Sequence, residues 1–195
     1  MTTADEDRLE FHPLTPERWQ DLQTLFGPRG ATGGCWCMFF RLPQSQFEQQ
    51  KGEANRQALK SIVDAGGTPG IIAYSDANPV GWCSLAPREE YSRLGRSRLF
   101  QPVDDQPVWS IVCFFTARTY RRKGLTVALL HAAIDYARAR GARILEGYPV
   151  DTRSGGAPDV FVYTGTLSAF RQAGFKEVLR RSETRPIMRY IIEER

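Results

Sequence analysis

The residues of this chain best suited to chemistry lie in one basic turn, "RTYRRKGLT" (118–126). It joins a dense apolar run, "PVWSIVCFFT" (107–116), to a long amphipathic stretch, "GLTVALLHAAIDYARARGA" (124–142). A strand that runs into a helix leaves the helix's first N–H groups unpaired, beside the positive end of its dipole. Such a terminus binds phosphate. Gly124 lets the backbone approach an anion closely, Arg121, Arg122 and Lys123 supply charge, and Thr126 supplies a hydroxyl. The turn therefore points to a ligand with a phosphate or pyrophosphate; a solvated basic turn is the alternative. Neither GxxxxGK[ST] nor GxGxxG occurs in the chain, so it has neither a Walker loop nor a dinucleotide fingerprint.

A second cluster is "GGCWCMFF" (33–40), with Cys35 and Cys37 on either side of Trp36. A tetrahedral zinc site takes four protein ligands, or three and a water. CxC offers two, Cys83 and Cys113 fall in separate predicted strands, and the chain has only 2 histidines. A Cys35–Cys37 disulfide would be strained. Neither a metal site nor a redox pair is expected here.

The elements that must position these groups follow from pattern. "LEFHPL" (9–14) alternates as a strand does. Thr15 as cap and Pro16 at the first position open a helix that puts Trp19, Leu22 and Phe26 on one face. Residues 27–34 are a glycine-rich loop. "SQFE" (45–48) reads as a capping box and starts a helix reaching Val63. "PGIIAYSD" (69–76) and "VGWCSLAPR" (80–88) read as a hairpin with Asn78-Pro79 in the turn. Residues 89–107 are a charged excursion, and 107–116 is a strand buried on both faces. After the helix, "RILEGYPV" (143–150) is a strand, 164–175 a short helix, and the last segments, from 175 and from 185, a strand pair. No repeat or linker divides the chain. It reads as one mixed α/β domain over residues 1–195, with 1–8 as a tail.

This order, with Arg121-x-x-Gly124-x-Thr126 after a buried strand, resembles the GNAT acetyltransferase family, whose pyrophosphate loop reads [RQ]-x-x-G-x-[GA]. Thr126 departs from the usual small residue. "FRQAGFKEV" (170–178) is similar to the family's junction of last helix and strand, and "PVGWCSL" to its third strand. "CWCM", "YPVD" (148–151) and "YTGT…F…GF" together look like a subgroup of bacterial members. The resemblance implies a mixed, mostly antiparallel central sheet with flanking helices and a splayed strand pair. It implies acetyl-CoA as donor, with pantetheine along Phe114, Phe115 and Thr116. The amides of Arg122, Lys123, Gly124, Leu125 and Thr126 would hold the pyrophosphate beside Arg121. It implies direct transfer to the amine of a small molecule or protein; an inactive acyl-CoA sensor is the alternative.

Direct transfer needs an acid for the leaving thiolate and a base for the amine. The family's tyrosine slot is occupied by Phe170, so Tyr163 is the expected acid. Glu146, an acid inside an otherwise apolar strand, is the expected base; an arginine partner for it is the competing reading. Asp151 suits a turn after Pro149, and Glu89 and Glu90 suit solvent. In the family, residues 33–40 would wall the acceptor side. An extended segment turns alternate side chains to one side. Either Trp36, Met38 and Phe40 or Cys35, Cys37 and Phe39 would then face the acceptor, and the set with Trp36 is expected to.

Composition narrows the rest. The chain has 195 residues, 42% of them hydrophobic, with 26 Lys+Arg against 22 Asp+Glu and a net charge of +4. That balance suits an anionic ligand and is too weak and unclustered for nucleic acid. No apolar run approaches a membrane span, and the polar N-terminus is not expected to act as a signal peptide. A cytoplasmic protein is expected, with no membrane or nucleic-acid partner, and a homodimer is compatible with it.

Overall fold

A computed structural model of the protein describes residues 8–153 and 162–193. Seven strands form one sheet: β1 (Leu9–Pro13), β2 (Gly70–Ser75), β3 (Asn78–Pro87), β4 (Trp109–Thr116), β5 (Ile144–Gly147), β6 (Lys176–Arg180) and β7 (Pro186–Ile191). They lie in the order β1-β2-β3-β4-β5-β7-β6. Every neighbouring pair is antiparallel except β4 with β5.

Helices cover both faces, which is why β2 and β3 read as near-continuous apolar runs. On one face α5 (Leu125–Ala139) buries Leu125, Leu129, Leu130, Ala133, Ile134 and Ala137 against Ile71, Cys83, Leu85, Ile111 and Phe114. Full burial contributes roughly 1.5–3 kcal/mol for each leucine. On the other face α1 (Trp19–Phe26) and α3 (Glu53–Asp64) set Trp19, Leu22, Phe26, Leu59 and Val63 against Ile72, Tyr74 and Trp82. Neighbouring residues such as Ile71 and Ile72 thus serve opposite cores, as strand alternation requires. The short α6 (Leu167–Gln172) is capped by the Thr166 hydroxyl, which accepts from the Ala169 N–H.

Several local expectations are corrected. Thr15 starts its helix through its carbonyl, 3.0 Å from the Arg18 N–H, with a 3₁₀ turn at Pro16–Arg18 before α1. The capping box at Ser45 does not form. Pro43 precedes α2 (Gln44–Gln49), which ends before α3 begins. The break exists because the Gly52 N–H turns to the Gly34 carbonyl at 2.9 Å, docking the glycine-rich loop between the helices. The hairpin turn is Asp76-Ala77, with φ of 48° and 63°, the twist a tight hairpin needs. Asn78 and Pro79 instead begin β3, opposite Ser75 and Tyr74. The 89–107 excursion is anchored: α4 (Ser92–Arg96) buries Leu94, and Tyr91 joins Phe40, Val112, Tyr148 and Ile187 in a third core.

The feature that frames the site lies at the middle of the sheet. β4 and β5 pair only from Trp109 to Ile111, opposite Leu145 to Gly147. A register shift against β3 between Ser84 and Leu85 leaves Val112 as an extra residue in β4. Bulges bend a strand and increase its twist. Beyond it β4 continues to Thr116 without β5, and the sheet opens.

Candidate functional site

The returning chain at 162–166 forms one side of this opening. The Phe114 N–H donates to the Tyr163 carbonyl at 2.6 Å, and the Val150 N–H donates to the Gly165 carbonyl at 2.9 Å. Peptide groups alternate direction along a strand. Phe114 turns its N–H away from β3, so Thr116 does too, while Phe115 turns its own toward Trp82. The peptide edge presented to the opening therefore belongs to Phe114 and Thr116.

At the end of β4 the chain makes a helical turn, Arg118–Tyr120, and then enters α5. Arg122 and Gly124 take left-handed φ values of 60° and 79° on either side of Lys123. Among the described residues, no backbone carbonyl accepts from the N–H groups of Arg122 through Thr126. Such a run of N–H groups at a helix N-terminus is an anion-binding concavity. Glycine reaches φ 79° without the cost a Cβ would carry, which fixes Gly124 at the cap.

A cleft of about 760 Å³ runs along this edge. Phe114, Phe115, Thr116, Arg121, Arg122, Gly124, Leu125 and Thr126 line it, facing Val162, Tyr163, Gly165 and Thr166. Lys123 is not on this lining; its ammonium sits over the Tyr120 ring at 5.1 Å. The sequence passed over Thr32 and Tyr120, which also line the cleft. No aspartate, glutamate or histidine is among the described lining residues.

Tyr163 belongs to the lining. Burial pushes its hydroxyl pKa up, while the charges of Arg185 and Arg93 act in the opposite direction. Phe170 does not reach the cleft. It is fully buried, its ring 6.2 Å from Phe114 and 4.9 Å from Phe175. A Cβ on Gly147 would stand 2.1 Å from its Cε1, so the absence of a side chain there makes room for the ring.

Glu146 is placed elsewhere, in the interior. Its carboxylate is 1% exposed; Oε1 accepts from Arg88 Nη1 at 3.1 Å and the Tyr148 hydroxyl at 2.7 Å, and Oε2 from Arg189 Nε at 2.8 Å. Arg189 continues to Asp104 through bonds of 2.6 and 3.0 Å, and Arg88 to the Phe100 carbonyl. Glu146 is not on the cleft lining and both of its oxygens are taken by Arg88, Tyr148 and Arg189, which corrects its reading as the base. Its arginine partners bind the excursion to the sheet. Asp151 accepts from the Arg153 N–H at 3.2 Å, as a turn aspartate does, and pairs with the Arg153 and Arg180 guanidiniums. Glu90 is paired with Arg41 at 2.6 Å.

Residues 33–40 are not extended. Trp36 and Cys37 take left-handed φ values of 43° and 54°, and the Met38 N–H closes a turn on the Cys35 carbonyl at 2.9 Å. Strict alternation is lost, and both sets of side chains turn inward. Trp36 stacks on Trp19 at 6.1 Å and borders a different concavity, beside Gly27 and Arg56. Met38 lies in the core under α1. Phe40 is buried too, but its ring lies 6.3 Å from Tyr163, and that of Phe39, from the opposite set, 5.9 Å. All four cysteines are free thiols. Cys37 Sγ accepts from Trp82 Nε1 at 3.0 Å and lies 3.5 Å from Cys113 Sγ. That contact with Cys113 and burial push the Cys37 thiol pKa well up. Among the described residues, no three His, Cys, Asp or Glu side chains are grouped to hold a metal, and no helix is long and apolar enough to cross a membrane.

Comparison with solved structures returns this architecture. An acetyltransferase of the GNAT family from Listeria monocytogenes superposes with a TM-score of 0.58 at 8% identity, covering 97% of this chain and 98% of that one. One from Streptococcus agalactiae gives 0.56 at 9%, covering 95% and 96%. The PaiA N-acetyltransferase from Thermoplasma acidophilum, solved in complex with coenzyme A, gives 0.54 at 14%, covering 94% and 99%. No curated protein matches in sequence. Residues 36–154, which include β4, the basic turn and α5, match the family described as Acetyltransferase (GNAT) family, and the chain belongs to that family.

Proposed function

We propose that the protein transfers an acetyl group from acetyl-CoA directly to an amine. The observation that carries this reading is the single cleft that joins the open edge of β4 to the N–H groups at the start of α5. The pyrophosphate lies on the amides of residues 122–126, with Arg121 and Arg122 beside it. The pantetheine amides pair with the Phe114 carbonyl and the Thr116 N–H, which sets the thioester near Tyr163. The acceptor nitrogen attacks the thioester carbonyl carbon; a C–N bond forms and the C–S bond breaks. The sulfur leaves with the electron pair and takes the Tyr163 hydroxyl proton, which the raised pKa keeps in place until transfer.

No carboxylate or imidazole stands among the described lining residues to act as base. The amine therefore reacts as the free base, its proton leaves to solvent, and solvent returns a proton to the Tyr163 phenolate. Nearby guanidiniums favour the neutral amine by raising the cost of a second positive charge. The same lack of a base, with Phe170 in the tyrosine slot, also favours a second reading: an acyl-CoA-binding sensor without turnover.

Calorimetric titration with acetyl-CoA and a thiol-release assay over an amine panel test both. Wild type binds acetyl-CoA, and Arg122→Ala weakens it about tenfold, the effect of one lost charge-assisted contact. Thiol release rises with pH through each acceptor's own amine pKa. Equal binding by the variant refutes the phosphate assignment. Tight binding with no thiol release from any amine selects the sensor.

A further inference from the structure

The arginines beside Tyr163 are not matched by acids in the way most buried arginines of this protein are. Arg41 pairs with Glu90, Arg88 and Arg189 with Glu146, and Arg180 with Asp151 and Glu177. Arg93 and Arg185, both half-buried, have no carboxylate within ion-pair distance among the described residues; the charge of Glu48, itself paired with Lys51, acts on Arg93 from farther away. Arg93 lies over the Phe39 ring at 3.9 Å and donates Nε to the Leu42 carbonyl at 3.3 Å. Its Nη2 is buried and has no hydrogen-bond partner. Arg185 donates Nη1 to the Thr164 hydroxyl at 3.1 Å, next in the chain to Tyr163. Phe39 and Phe40 complete the surround, with their rings 5.9 and 6.3 Å from that of Tyr163.

A buried guanidinium N–H without an acceptor is a donor in want of an anion. A planar fork of donors on an aromatic ring is suited to a carboxylate, which it binds through two parallel bonds. Arg121 and Arg122, on the cleft lining where the phosphates of the donor would lie, form one cationic region. Arg93, Arg185, Phe39 and Phe40 are not on that lining; they surround Tyr163, which is. A second, separate positive region near Tyr163 answers to the other reactant.

We propose that the acceptor is an amino carboxylate with an apolar body: Arg93 and Arg185 hold its carboxylate and Phe39 and Phe40 cover its side chain, presenting the amine beside Tyr163. This rests on the acetyl-transfer reading. Arg93 and Arg185 then act as binding residues, on KM more than on kcat.

The test uses matched pairs that differ only by the carboxylate: L-phenylalanine with 2-phenylethylamine, L-tyrosine with tyramine, and L-leucine with isopentylamine. Thiol release from acetyl-CoA is measured for each, together with the thermal shift each gives in the presence of CoA. The amino acid of at least one pair is expected to exceed its decarboxylated partner by about tenfold or more in kcat/KM, because the site's donors would face the amine unpaired. Arg93→Gln and Arg185→Gln collapse that ratio by raising KM for the amino acid, while Arg93→Lys retains part of it. Circular dichroism of each variant checks its fold. If the amines match or exceed the acids in every pair, or if the double Gln variant keeps the ratio, the inference is overturned. If acetyl-CoA binds and nothing turns over, the thermal shifts decide by the same ordering. If acetyl-CoA does not bind wild type, the acetyl-transfer reading itself fails, and this inference with it.

Discussion

Replacing Glu146 by glutamine separates a structural carboxylate from a catalytic one. Glu146, Asp104, Arg88 and Arg189 form a cluster of balanced charge across β5, β7 and the excursion. A carboxylate accepts on both oxygens, as Glu146 does from Arg88, Tyr148 and Arg189. An amide accepts on one side only, so its NH₂ would face a guanidinium, donor against donor. One buried positive charge would also lose its partner. Breaking a buried pair in this way costs about 3–5 kcal/mol. The lower end applies, because Arg189 keeps both bonds to Asp104, which is 44% exposed on its side chain. For a chain of this size, about 3 kcal/mol lowers Tm by roughly 6–12 °C. Thermal and urea unfolding of Glu146→Gln measure this without any knowledge of the acceptor. Thiol release with the best amine, assayed well below the variant's Tm, should fall only modestly and keep the wild-type pH profile. A Tm within about 2 °C of wild type, with turnover down by about a hundredfold and the acid limb of the profile gone, would restore Glu146 as the base and refute this reasoning.

Two further outcomes follow from the same surroundings. Gly147→Ala drives a methyl to 2.1 Å from the Phe170 ring, which is fully buried against Phe114 and Phe175. It should destabilise the protein by about 3 kcal/mol, and Phe170→Leu should recover part of that loss; an unchanged urea midpoint for Gly147→Ala counts against the packing described. Arg153, and then Arg180, hold the Asp151 carboxyl well below the usual carboxylate range. The unfolded chain therefore binds the proton first as pH falls. Stability from this site is complete above the unfolded value of about 3.9 and is lost as pH drops through the lower folded value. Urea midpoints measured below pH 5 should decline less steeply for Asp151→Asn than for wild type, starting from a lower neutral value; parallel curves would show that Asp151 contributes nothing to acid sensitivity.

Much of the fold was legible because it is local. Near-continuous apolar runs such as "GIIAYS" and the broad apolar stripe of α5 require nothing beyond neighbours in the chain, and their elements appear where expected. The basic turn was equally legible, since a strand, a left-handed glycine and a helix N-terminus are consecutive. Local preference gives way where a competing local signal or a distant contact overrules it. The capping box at Ser45 gives way to Pro43, and the helix it was to start is interrupted where the glycine-rich loop docks.

The amino-acid sequence by itself determined the order of elements, the strand–turn–helix junction with its basic residues at 121–126 and membership of the acetyltransferase family. Tertiary structure alone decided what the isolated acids, aromatics and cysteines do. Glu146 looked catalytic because an acid in an apolar strand needs a partner, and its partners, Arg88 and Arg189, lie 58 and 43 residues away. Trp36 looked like a cleft wall until two left-handed residues turned it onto Trp19, leaving Phe39 and Phe40 beside Tyr163. The unmatched charges of Arg93 and Arg185 could not be read from any window of sequence. Burial and pairing are properties of packing between segments remote in the chain, whereas periodicity, caps and turns are properties of adjacent residues.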